Sequence, residues 1–110
     1  MKKLITVTRF KGYCRSKAET YSTEILAEIH GPFGIFKDPY STDKPWAIIH
    51  VGTGLGVTYG DRYLNVARRI ARALEAQPGW DFTTQAEFAP RCEALAKQLA
   101  AAREAAEVAP

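Results

Sequence analysis

A chain of 110 residues and 12.2 kDa has room for one hydrophobic core, which excludes a multi-domain enzyme and a nucleotide-binding sheet joined to a substrate domain. With 46% hydrophobic and 25% charged residues it is composed like a folded domain and not like a disordered chain. The net charge of +3 conceals blocks of sign: Lys2, Lys3, Arg9, Lys11, Arg15 and Lys17 stand without an acid, residues 18 to 61 are net acidic, Arg62, Arg68, Arg69 and Arg72 stand unopposed, and residues 73 to 110 are acidic again.

No apolar run reaches the roughly 18 residues of a membrane span, and LITVTRF after the first lysines is too short and too polar for a signal-peptide core, so a cytoplasmic protein with no membrane partner is expected. Cys14 and Cys92 lie far apart with no short metal-ligand spacing, which fits a reduced pair better than a disulfide framework.

In chain order, residues 4 to 10 are rich in β-branched side chains and end at Lys11-Gly12, so they read as a strand running into a turn. Residues 21 to 30 fit both a strand and a helix: Tyr21, Thr23, Ile25, Ala27 and Ile29 alternate with polar partners, while Ala18, Tyr21, Ile25 and Ile29 also form a helical stripe. The strand is preferred for its Thr/Ile content, and its alternation breaks only at Leu26. Residues 31 to 45 pack three prolines, two glycines and three aromatics without a period, and read as a loop holding a short strand at 33 to 37.

Trp46 to Val51 and Leu55 to Tyr59 predict a hairpin through Gly52-Thr53-Gly54, with Gly54 left-handed. In that register Val51 faces Leu55, Ile49 faces Val57 and Ala47 faces Tyr59, and this face receives the first helix. The glycines approach a dinucleotide fingerprint but miss it, because Gly52 and Gly54 are followed by Val57 where a third glycine is needed. Turn and strand geometry accounts for them without a ligand.

Asp61 is placed to cap a helix over 61 to 77, carried by Leu64, Ala67, Ile70, Ala71 and Leu74 up to Gln77-Pro78-Gly79. Thr84 and Glu87 form a capping-box pattern opening a helical region over 84 to 107, interrupted by Pro90. Cys92, Leu95, Leu99, Ala102 and Ala106 make a narrow seam that suits an internal partner or a second copy, and the alanine-rich tail beyond Leu99 is expected to fray. The sum is one α+β domain over 1 to 110: an antiparallel sheet of three or four strands within 4 to 59, then two helices packed on one face.

For function, Arg62, Arg68, Arg69 and Arg72 mark the polar arc of the first helix, able to pair with phosphates or with an acidic protein surface, or simply to face solvent. Lys11 and Arg15 stand among Phe10 and Tyr13, a mixture of charge and stacking surface that single-stranded nucleic acid favours. Phe33, Phe36 and Tyr40 are candidate loop anchors of a protein interface, or else fold back onto the core. His50 and Cys14 are the candidates for acid-base and nucleophilic chemistry, but no spacing brings them together, and Cys14, His30, His50 and Cys92 lack the close pairs of a zinc site.

The stretch WAIIHVGTGLGV from Trp46 to Val57, followed by an alanine-rich helix and then Gly79-Trp80-Asp81-Phe82, resembles small proteins of bacteriophages and other mobile elements. That resemblance covers about a third of the chain, carries no functional residues across, and implies a context of stoichiometric inhibitors of host machinery, anti-CRISPR proteins among them. The chain's basic charge departs from the acidic DNA-mimic variety. The expectation is therefore a non-enzymatic binding module without cofactor or metal, acting on a macromolecular complex, with a protein partner favoured over nucleic acid. The alternative is a sequence-independent nucleic-acid binder using the basic N-terminus and the arginine helix.

Overall fold

The chain folds as an antiparallel meander followed by a helical layer, and the computed structural model describes residues 2–11, 19–38 and 43–108. Five strands, β1 (Lys2–Lys11), β2 (Glu19–His30), β3 (Phe33–Lys37), β4 (Trp46–His50) and β5 (Leu55–Asp61), pair in sequence order. They precede α1 (Leu64–Glu75), the short α2 (Gln85–Phe88), a 3-10 turn at Ala89–Arg91 and α3 (Cys92–Val108). The α+β class and the helices after the sheet are as the sequence predicts, and residues 21 to 30 are strand. The short strand expected at 33 to 37 is β3, and it brings the sheet to five strands where three or four were expected; it buries Phe33, Gly34, Ile35 and Phe36 in succession and so shows no alternation.

Both faces of β3 and β4 are covered. Toward the helices, Phe33, Ile35 and Ile48 pack with Ala67, Ile70, Ala71 and Leu74 of α1 and Leu95, Ala102 and Ala106 of α3. On the other face the sheet coils upon itself: Ile5 and Val7 of β1 and Ala27 of β2 close over Phe36, Ala47 and Ile49. Gly34 permits that closure, since a Cβ there would stand 2.8 Å from Ile5 Cδ1 and 3.2 Å from the Ala27 methyl.

The helices therefore meet the Ile48 face and not the Ile49 face expected from the hairpin. Trp46–His50 is apolar on both sides, so periodicity alone does not say which side faces the helices. The turn also differs: it spans four residues, with Gly54 N–H donating to His50 O at 2.8 Å. His50 consequently pairs with Leu55 and Ile49 with Gly56, and bulges in the ladder bring Ile48 opposite Thr58. Gly54 is left-handed (φ 72°), as the turn chemistry requires.

Asp61 does not cap α1. Tyr63 is the N-cap residue and offers no side-chain bond, while Asp61 ends β5 and accepts from the Thr58 hydroxyl at 3.1 Å, with Arg103 of α3 at 3.8 Å. The Thr84 half of the capping box forms, with Glu87 N–H donating to Thr84 Oγ1 at 3.2 Å, while Glu87 Oε1 accepts from the Thr84 hydroxyl at 3.0 Å and from Thr83 N–H at 3.5 Å, where the full motif would use Thr84 N–H. The helical seam turns inward within the chain, and α3 is continuous to Val108 with Ala102 and Ala106 buried, well past Leu99. Among the described residues no helix is long and apolar enough to cross a membrane.

Candidate functional site

Two contacts fix how α1 lies along the sheet. Arg68 Nε donates to both carboxylate oxygens of Glu28, at 3.1 and 3.0 Å. Three residues onward, in the turn just after β2, Gly31 lies under Glu75, whose Cγ would be 2.8 Å from a Cβ at that glycine. The helix rises about 10 Å between residues 68 and 75, and the extended chain advances about 10 Å between residues 28 and 31. The C-terminal half of α1 thus runs in the direction of β2, and its first turn lies level with Leu26.

Side chains two apart on a strand share a face, so Leu26, Glu28 and His30 all point to the side that α1 occupies. Leu4 pairs with Leu26 and Lys2 with Glu28, which brings both β1 residues to the same side. The helices cover this side only as far as Glu28. Beyond it Leu4 is 61% and Leu26 55% exposed, and Tyr63 at the N-cap of α1 is 63% exposed; these are the large exposed hydrophobics among the described residues.

Exposed cations stand on the same elements. Lys2, Arg62 and Arg72 are exposed and make no ion pair among the described residues. Arg68 and Glu28 largely cancel each other: burial raises the Glu28 carboxyl, but the hydrogen bond and charge of Arg68, helped by His30 at 3.5 Å, outweigh it and hold the group below its ordinary value. Arg69 turns the other way and its Nη1 donates to Ala106 O in the last turn of α3, at 3.5 Å.

The predicted arginine arc is therefore divided, with Arg62 and Arg72 presented to solvent and Arg68 and Arg69 tying α1 to β2 and α3. Phe33 and Phe36 are a correction: they stand on a central strand and not in a loop, at 0% and 1% exposure, and each serves one of the two cores. Neither is available to a partner. The side chain of Lys11, and Arg15, Tyr40 and Cys14 entirely, lie outside the described residues. Sequence reasoning missed Leu4, Leu26 and Tyr63, although a signal existed in the break that Leu26 makes in the alternation of β2.

His50 serves the interior. Its Nε2 donates to Trp80 O at 2.8 Å, which leaves Nδ1 to accept from the Thr53 hydroxyl at 2.9 Å. The ring stacks on Phe82 with centroids 4.2 Å apart. Gly52 lets the 80–82 connector come this close, since a Cβ there would stand 2.8 Å from Phe82 O, and this gives the glycine hairpin a packing role. Beside His50 lies an apolar cavity of about 200 Å³, and the cysteine that lines it is Cys92. Both imidazole nitrogens being committed elsewhere, no nitrogen is left to activate that thiol. No group of three or more His, Cys, Asp or Glu side chains among the described residues is arranged to hold a metal ion. Comparison of the chain with protein-family models, with curated proteins and with solved structures finds no match, so the functional reading rests on this geometry.

Proposed function

We propose that the chain is a small non-enzymatic binding module that acts stoichiometrically on a larger protein complex, laying the outer face of the β1–β2 hairpin and the first turn of α1 against it. The observation that carries this reading is the cross-strand pair Leu4 and Leu26, exposed on the side of the sheet that Lys2 shares and level with the first turn of α1, which Arg62 precedes. Exposed leucines in register supply area that gains from desolvation, and Tyr63 adds an amphipathic anchor. Lys2 and Arg62 favour an acidic surface and steer the encounter.

A protein suits this face better than nucleic acid. Phosphates would engage the arginines and Lys2, but two aliphatic side chains offer bases no stacking surface. The resemblance to phage and mobile-element proteins makes a host defence complex, a CRISPR effector among them, the first partner to test.

The test is affinity capture from host cells in the presence of nuclease, with the wild-type chain and Leu26→Asp as baits. Because Leu26 is more than half exposed, the variant should melt within about 2 °C of wild type. The expected result is one nuclease-resistant complex captured at fixed stoichiometry by wild type and lost by the variant. Equal capture by both baits, or disappearance of all captured material on nuclease treatment, would overturn the reading.

A further inference from the structure

Independently of that face, we infer that the cavity beside His50 is a binding site for a small uncharged aromatic compound of one substituted ring. The cavity lies between the β4–β5 turn and the start of α3, with Trp80, Phe82 and Phe88 supplying aromatic walls and Val57 and Leu99 aliphatic ones. Its size decides the class of occupant. An enclosed apolar cavity of about 150 Å³ takes up benzene; this one opens to solvent on one side and measures about 200 Å³, enough for a ring with one small substituent.

Its polarity decides the rest. No Lys, Arg, Asp or Glu lines it. The two ring nitrogens of His50 are bonded within the chain, to Trp80 O and the Thr53 hydroxyl, and the Trp80 indole N–H is given to Gln98 Oε1 at 2.9 Å. A charged group seated against this lining would lose its hydration with no counter-charge in return, which disfavours carboxylates and amines. A neutral ring instead finds edges and faces of three aromatic side chains to pack against.

The chain holds two tryptophans, and only Trp80 lines the cavity, so its indole N–H is a built-in reporter with Trp46 as the control. The experiment is a titration of the full chain with toluene, and separately with benzoate, followed by amide and indole NMR shifts. The same titration is run on Ala96→Phe, where an exposed α3 residue at the cavity rim is enlarged to fill it. Saturable movement of Trp80 and Thr53 with toluene is expected, with Trp46 still, no saturation with benzoate, and at least a tenfold loss of toluene affinity in Ala96→Phe. Should Ala96→Phe not fold, Ala96→Leu is read instead and must weaken toluene in the same sense. Shifts that stay linear with toluene, equal binding of benzoate, or undiminished binding in a folded rim variant would overturn the inference.

Discussion

At Glu28 a single carboxylate joins the sheet to the helical layer, and its chemistry makes a pH prediction. Its folded value lies below the ordinary 4.5, since Arg68 and His30 together outweigh the effect of burial. A depressed carboxyl contributes stability above its unfolded value and loses it as pH falls through the folded one. Glu28→Gln should therefore cost about 1 kcal/mol at pH 7, a figure kept small because the Arg68 side chain is 37% exposed. The difference from wild type should shrink as pH falls below 4.5 and vanish once the pH lies below the lowered folded value. Thermal melts of both proteins across pH 3 to 7 check this, and a gap as large at pH 3 as at pH 7 would show that the pair is not its source. Residues of this kind were hard to read beforehand: the four arginines are plain in the sequence, but their division into exposed Arg62 and Arg72 and engaged Arg68 and Arg69 depends on Glu28, forty positions from Arg68. Phe33 and Phe36 were misread for a related reason. Proline and glycine on either side mark a loop, whereas the five residues between them form a strand buried on both faces.

Among the elements, β3 and β4 are sandwiched between a helical core and a core made by the sheet alone. Gly34 is the position on which that second core depends, and Gly34→Val should push Ile5 away and destabilise the fold by about 1–3 kcal/mol. Combining it with Ile5→Ala should recover part of the loss, because the smaller side chain vacates the contested space; a double mutant less stable than the sum of both singles would refute the close-approach account. The strands, the helix after residue 61 and the capping box were legible because each has a local signature of alternation, 3.6-residue spacing or Thr-x-x-Glu. The choice of Ile48 over Ile49 for the helical side was not. Both residues are fully buried, and only the coiling of the hairpin over the second face distinguishes them. The inward turn of the α3 seam likewise depends on the small faces of Ala67 and Ala71 meeting Ala102 and Ala106, a match between segments distant in sequence.

Taken as a whole molecule, the fold leaves one side of a long hairpin uncovered where the helical layer ends. The exposed leucine pair lies at that boundary, level with the N-cap tyrosine of α1, and the proposed contact therefore combines β1, β2 and the first turn of α1. Such a face predicts association that slows with added salt as Lys2 and Arg62 are screened, without the steep loss of affinity seen when many phosphates are neutralised. Replacing Lys2 and Arg62 together by glutamate should slow association at least tenfold and leave the melting temperature nearly unchanged, as binding kinetics at two ionic strengths would show. The central claim is the location of this face, and hydrogen exchange of the chain alone and bound to its captured complex tests it most directly. Slowed exchange confined to residues 2–6, 22–28 and 62–68 is the predicted result; protection confined to α3, or spread evenly over the sheet, would contradict it.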